Sequence, residues 1–218
     1  MCLDLADSLT LMHKPNMTSL LLVRHGQIRA NVDGCWHGST DSPLTWRGRR
    51  QATRTARHLA KLSKRPTHIY SSPLERCRHT ADQIGRRLNI EPDIEDDLRE
   101  YSIGEWEGMR FADLASEHDF VGKSGADPLF APPGGESLAA VAQRMSNAIQ
   151  TLQSKHADDD DARLVVVSHG VALAVLLGTL LHESPARWTD YRFANCSVTE
   201  LVLSPAPYVN FFNSTQHL

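Results

Sequence analysis

Two stretches of the chain carry the same pattern. Leu20-Leu21-Leu22-Val23 and Leu164-Val165-Val166-Val167 are unbroken bulky apolar runs. Each is closed by a polar residue, a histidine and a glycine, as Arg24-His25-Gly26 and Ser168-His169-Gly170. Apolar runs without alternation predict strands buried on both faces of a sheet, here over about 19–24 and 163–168. Each histidine then stands at the carboxyl end of its strand, and each glycine opens the following turn. Open α/β sheets bind ligands at that edge. Two imidazoles far apart in sequence are thus expected at one ligand-binding edge, which points to chemistry done by histidine.

Between these strands the pattern changes to a helical period. Thr45 can cap a helix to about Lys64, stopped by Pro66, with Ala52, Ala56, Leu59 and Ala60 on its inner face. The other face carries Arg47, Arg50, Arg54, Arg57 and Lys61. Without aromatic interleaving it reads as a solvated basic face and not as a nucleic-acid patch. A short strand at 67–71 leads into Ser72-Pro73-Leu74-Glu75. That sequence predicts a helix start with Ser72 as cap, Pro73 at the first helical position and Glu75 completing a capping box, the helix running to about Leu88. Asp97-Leu98-Arg99-Glu100 reads as strand-like. Residues 101–136 are irregular and suit an inserted cover with one or two short helices. Ser137 caps a helix to about Ser154 whose stripe is Leu138, Val141, Met145, Ala148, Ile149 and Leu152. Asp158 to Asp161 form a solvated loop, since the ligand spacing of a calcium loop is missing. The helix at 171–182 is apolar nearly all round and is expected to be buried. The tail, 197–203 and 208–212 split by Ser204-Pro205-Ala206-Pro207, reads as two strands of an edge hairpin. Strands alternating with helices give an α/β fold, a three-layer α/β/α sandwich with a mainly parallel central sheet. We expect an N-terminal tail at 1–16 and a single domain over 17–218, with 101–136 as its cover.

Composition narrows the picture only slightly. The 218 residues are 41% hydrophobic and 22% charged with a formal net charge of -3, ordinary values for a globular protein and no argument for nucleic acid or anionic membrane as a partner. Residues 1–16 lack the features of a signal peptide, and Val171 to Leu181 is too short to span a bilayer. The four cysteines, Cys2, Cys35, Cys77 and Cys196, are scattered without a CxxC pair, so neither a zinc site nor a redox dithiol is indicated. Free thiols in the cytoplasm are the simplest reading.

Arg24, His25, Arg76, Glu100 and His169 are the residues expected to do chemistry. Singly, each has a bland alternative: a strand-end histidine is usually structural, and a lone Arg or Glu usually sits on the surface. Together with their surroundings they resemble the histidine phosphatase superfamily, the group of cofactor-dependent phosphoglycerate mutases and many small-molecule phosphatases. The matching text runs in order: Leu22-Val23-Arg24-His25-Gly26 with Asn31; Asp41-Ser42-Pro43-Leu44-Thr45 with Gly48; Ser71-Ser72-Pro73-Leu74-Glu75-Arg76 with Thr80-Ala81; Leu98-Arg99-Glu100 with Gly104-Glu105-Trp106-Glu107-Gly108; Gly135-Glu136-Ser137; and Val167-Ser168-His169-Gly170.

The resemblance, which covers about residues 19–200, implies a phosphoglycerate mutase-like fold and assigns roles. His25 matches the nucleophile that becomes a phosphohistidine. Arg24 and Arg76 match the phosphate-gripping cations, and nearby positive charge also keeps an imidazole neutral and able to attack. His169 matches a second histidine donating to a phosphate oxygen. Asn31 and the Gly38 backbone match further substrate contacts. Glu100 matches the proton donor, its bland alternative being a carboxylate that only orients an arginine. No cofactor and no catalytic metal are implied. Two positions depart from the family pattern: Gln27 follows the first Arg-His-Gly where many relatives have Glu, and His37-Gly38 stands where mutases usually have Thr-Gly.

Only 28 residues separate Gly108 from Ser137, where mutases carry a longer insertion. A shorter cover suggests a site open to water. The expected activity is therefore a metal-independent phosphatase acting on small-molecule phosphomonoesters, with phosphoglycerate mutase-type transfer as the alternative and a non-catalytic phospho-ligand binding module behind it. Specificity is expected in 33–40 and 101–136, where Trp36, His37, Tyr101, Arg110, Phe111, Phe120, Lys123 and Phe130 could line a pocket or pack the cover onto the sheet. The sequence leaves the oligomeric state open, a homodimer included.

Overall fold

The computed structural model describes residues 19–204 and 206–218, so the expected tail at 1–16 lies outside the described residues. Chain order is β1 (Ser19–Arg24), α1 (Arg29–Asp33), α2 (Trp46–Leu59), β2 (His68–Ser71), α3 (Glu75–Leu88), β3 (Asp93–Ile94), α4 (Phe111–Ser116), α5 (Phe120–Ala126), α6 (Leu138–Lys155), β4 (Arg163–Ser168), α7 (Gly170–His182), β5 (Val198–Val202) and β6 (Tyr208–Ser214). Short 3-10 turns occupy Asp96–Leu98, Gly104–Trp106 and Pro185–Asp190.

The strands form one sheet in the order β3-β2-β4-β1-β5-β6. β1, β2, β3 and β4 are parallel, while β5 and β6 run antiparallel to their neighbours as the expected terminal hairpin. The two apolar runs lie side by side in register, Leu20 opposite Leu164 and Val23 opposite Val167. Their alternate side chains serve different layers. Leu20, Leu22, Leu164 and Val166 pack with α6 and α7, and Leu21, Val23, Val165 and Val167 pack against the layer of α2 and α3. All eight are fully buried, which explains the missing polar alternation, and each contributes about 1.5–3 kcal/mol of burial. The α/β/α sandwich with a mainly parallel sheet is therefore the fold.

Several local expectations hold in detail. Thr45 and Ser137 accept from the amides of Gly48 and Ala140 as helix caps. The six stripe residues of α6 are buried. In α7 the buried run is Ala172 to Gly178. Arg47, Arg50, Arg54, Arg57 and Lys61 are exposed to solvent.

Three expectations are corrected. α2 ends at Leu59, short of Lys64, because the amides of Lys61 and Leu62 turn back to His58 and Leu59 in a tight final turn. The segment before Glu100 is a 3-10 turn over Asp96–Leu98, the strand being the earlier pair Asp93–Ile94. Ser72 does not cap α3, which starts at Glu75 with Leu74 at the cap position. The Asp41 carboxylate instead takes the Glu75 amide, at 2.9 and 3.0 Å. Ser72 pairs its amide with Val167 of β4, and its hydroxyl accepts from the Leu74 amide at 3.4 Å and meets His169 Nε2 at 2.8 Å.

Candidate active site

The carboxyl ends of β1, β4 and β2 deliver the first three parts of the site: Arg24-His25, Ser168-His169 and Ser71-Ser72. Gly26 then turns the chain against the start of α2. A Cβ at Gly26 would lie 2.6 Å from the Gly48 carbonyl, and one at Gly48 would lie 2.2 Å from the Gln27 carbonyl. Two glycines are needed for the backbones to pass this closely. The turn is also pinned by Thr80, which accepts from the Gly26 amide and donates to the Arg76 carbonyl.

His25 is 3% exposed. Its Nδ1 is 2.7 Å from its neighbour's carbonyl, Gly26 O, so Nδ1 carries the proton and Nε2 presents the lone pair. Burial, then the positive charges of Arg76 and Arg24, hold its pKa well below the usual histidine value. The result is an uncharged imidazole among fixed cations. His169 lies with its ring centroid 5.2 Å from that of His25. Its Nδ1 accepts from Arg76 Nε at 3.1 Å, and its Nε2 stands 2.8 Å from the Ser72 hydroxyl. Burial and then Arg76 push its pKa well down as well. Cys77 packs its sulfur 3.3 Å from His169 Nε2, and burial pushes that thiol far up, so it stays protonated and inert.

The two arginines are placed differently. Arg76, in the first turn of α3, is fully buried. Its Nη atoms donate to the carbonyls of Thr40, His37 and Gly38. That loop is held in turn by Glu107, whose carboxylate accepts from the amides of Gly38, Ser39, Thr40 and Ile103 and from the Thr40 hydroxyl. Burial pushes the Glu107 carboxyl up, but these hydrogen bonds outweigh it and hold it below the usual range. Arg24 donates from Nη1 to the Phe193 carbonyl at 2.6 Å, while its buried Nε has no hydrogen-bond partner.

Glu100 sits at the amino end of α7. Its carboxylate accepts from the amides of Ala172, Tyr101 and Val171 at 2.8, 2.9 and 3.1 Å. Asn31 accepts through Oδ1 from the Ile28 amide and from Asn195 Nδ2, which fixes the side-chain orientation and leaves its Nδ2 to donate to a ligand. Arg24, His25, Asn31 and Glu100 all border one cavity of about 530 Å³. Arg76 and His169 do not border it, His169 standing 5.2 Å from the His25 ring and Arg76 bonded to His169. Gly38 does not border the cavity, and its amide and carbonyl are committed to Glu107 and Arg76, so it acts on the site through Arg76.

The cover supplies part of the wall. Trp36, His37 and Phe111 line the cavity. Tyr101 and Phe120 are instead fully buried core residues, and Phe130 packs on Trp106 with Lys123 over its ring. The opposite wall comes from a segment outside the expected specificity regions: Trp188, Thr189, Tyr191, Arg192 and Phe193. Two supporting residues also escaped the sequence reading. Asn195 donates to both the His25 carbonyl and Asn31 Oδ1. Arg144 of α6 donates to the carbonyls of Asp97, Arg99 and Glu100 and forms a two-pronged pair with Glu136, so it fixes the segment bearing Glu100. A signal for Arg144 did exist: it falls between Val141, Met145 and Ala148 on the apolar face of its helix.

The neutral rings have a stability consequence. Unfolded, both histidines titrate near 6.5; folded, they do so well below. Below pH 6.5 the unfolded chain binds more protons, so stability falls as pH drops. The expected loss is about 1.4 kcal/mol per pH unit for each ring until its folded pKa is reached. The downward shifts of His58, His156 and His217 act in the same direction. Urea unfolding at pH 7.0 and 5.5 measures this, and equal stabilities at the two values would contradict buried uncharged rings.

Two imidazoles, a pair of arginines and a carboxylate thus gather at the sheet's carboxyl edge, a set of groups suited to phosphoryl transfer. The chain belongs to the histidine phosphatase superfamily (branch 1), whose profile matches residues 20–209. It is 34% identical over 201 residues to glucosyl-3-phosphoglycerate phosphatase of Mycobacterium tuberculosis, covering 88% of each chain. It is 35% identical over 195 residues to a probable phosphoglycerate mutase of Proteus mirabilis, again covering 88% of each. Among solved structures, the mycobacterial glucosyl-3-phosphoglycerate phosphatase in complex with VO3 superimposes with a TM-score of 0.80 at 29% identity, covering 91% of this chain and 100% of that one. No helix among the described residues is long and apolar enough to cross a membrane.

Proposed function

We propose that the protein hydrolyses small-molecule phosphomonoesters in two steps through a phosphohistidine at His25. The observation carrying this reading is the uncharged His25 ring, its Nε2 lone pair free, beside the unpartnered Arg24 Nε. In the first step Nε2 forms a bond to phosphorus and the ester P–O bond breaks. Glu100 gives a proton to the leaving alkoxide. In the second, Glu100 takes a proton from water as the water oxygen attacks phosphorus, and the N–P bond breaks to release phosphate. Arg24, Asn31 and Arg76 hold the equatorial oxygens, where negative charge spreads in the transition state. His169 joins them when its Nε2–H leaves Ser72 for a phosphate oxygen. The alcohol part of the substrate lies between the walls of Trp36 and Phe111 on one side and Trp188 and Tyr191 on the other. The unpaired Cys35, Cys77 and Cys196 support a reducing, cytoplasmic setting.

The similarity to a named mutase favours a second reading, in which a bound bisphosphate passes the phosphoryl group to another alcohol. A panel of sugar phosphates, phosphoglycerates including glucosyl-3-phosphoglycerate, and phosphoserine separates the two. Hydrolysis predicts inorganic phosphate released without a bisphosphate primer, an acid-labile phosphoenzyme on rapid quench, unchanged turnover with a chelator present, and competitive inhibition by vanadate. Turnover that needs a primer or a metal ion would overturn the proposal.

A further inference from the structure

At the edge of the sheet opposite the phosphate site, three ligand-type side chains converge. His68 opens β2, His156 follows the last residue of α6, and Asp159 lies in the turn leading to β4. One donor atom from each lies within 4.8 Å of the others. We propose that His68, His156 and Asp159 bind a divalent transition-metal ion, zinc being the ion that two imidazoles, one carboxylate and an open fourth position suit best.

The surroundings are those of a metal ligand set. The His68 and His156 rings stand with centroids 4.0 Å apart. His156 is buried, and its Nε2 is 2.8 Å from the hydroxyl of the buried Tyr70. With the tyrosine oxygen accepting from Nε2–H, the lone pair falls on Nδ1. An outer partner that sets the tautomer in this way is a regular companion of metal-bound histidine. Beside the cluster, Lys155 is paired with Asp93 at 3.1 Å and rests over the Tyr70 ring. The Asp159 turn is ordered by its own bonds: its amide donates to His156 O, and its Oδ1 accepts from the Asp161 amide. Tetrahedral zinc with bonds of 2.0–2.1 Å needs donors about 3.4 Å apart. Closing the cluster by about 1.4 Å lies within rotation of the His68 ring and the Asp159 side chain.

Such an ion would tie together the start of β2, the end of α6 and the approach to β4. It lies a strand length from His25, so its effect falls on stability and not on turnover. The proposal is independent of the phosphatase reading. The test uses the full chain stripped of metal, titrated with zinc against a fluorescent chelator at pH 7.5 and followed by thermal unfolding. The expected result is one bound ion and a rise in Tm of about 5–10 °C at a hundredfold excess of free zinc over Kd. His68→Gln and Asp159→Asn should each weaken binding roughly tenfold or more and remove the Tm shift, while keeping wild-type turnover in chelator. Cobalt in place of zinc should give the visible absorption of a tetrahedral site in the wild type and lose it in both variants. Absence of a stoichiometric ion, or equal binding and equal Tm shift in the wild type and both variants, would overturn the assignment.

Discussion

His25→Ala is expected to lower turnover of any phosphomonoester substrate by on the order of 10⁴-fold or more, the scale seen when a covalent nucleophile is removed. No neighbouring group can replace it. The second imidazole has Nδ1 occupied by Arg76 and Nε2 by Ser72, and the nearby Cys77 thiol is held protonated by burial. The backbone at this position is independently secured: the His25 amide pairs with Ser168, and its carbonyl accepts from the Cys196 amide and from Asn195. The variant should therefore fold, with circular dichroism and Tm near those of the wild type, and still bind phosphate or vanadate. Phosphate release and rapid-quench labelling measure the effect. A variant working within tenfold of the wild-type rate, or still forming an acid-labile phosphoenzyme, would remove His25 from the chemistry.

Arg76→Ala has two effects that one experiment separates. The side chain is fully buried and serves four acceptors: the carbonyls of His37, Gly38 and Thr40, and His169 Nδ1. Removal leaves these buried groups unpaired and opens a cavity, with an expected destabilisation of about 3 kcal/mol or more. It also withdraws a fixed donor from the developing phosphoryl charge, worth about 10²–10³-fold in kcat/KM. Arg76→Lys keeps the charge but not the planar fork, so part of the stability should return while kcat/KM stays low. Urea unfolding together with steady-state kinetics reads the two effects. Wild-type kcat/KM in a folded Arg76→Ala protein would show that this arginine only supports the 37–40 loop.

The chemistry-bearing strands were legible because their signal is local and redundant. A buried parallel strand needs side chains that fill both faces, so Leu20–Val23 and Leu164–Val167 could be placed without knowledge of their partners. The Thr45 and Ser137 caps were readable for the same reason, since each hydroxyl reaches an amide three residues away in its own helix. Ser72 misled because an equally good cap, Asp41, arrives from 34 residues earlier in the chain. With Asp41 on the α3 amide, the Ser72 hydroxyl meets the Leu74 amide and His169 instead. The specificity wall was half legible. Trp36, His37 and Phe111 lie in the expected segments, but Trp188 to Phe193 reach the cavity only because α7 and the turn after it fold back over the site.

Taken alone, the sequence determined that Arg24-His25 and Ser168-His169 stand at strand ends, because periodicity and strand-end placement depend on neighbours a few residues away, while the roles expected of Arg76 and Glu100 came from the resemblance to a family. Tertiary structure decided which charges and donors are free to act. Arg24 Nε is left unpaired, Arg76 gives four of its five N–H groups to His169 and the 37–40 loop and keeps one Nη1–H for a ligand, and Glu100 is carried by Arg144 onto the amino end of α7. Those outcomes rest on hydrogen bonds between groups tens of residues apart, and no local pattern encodes them.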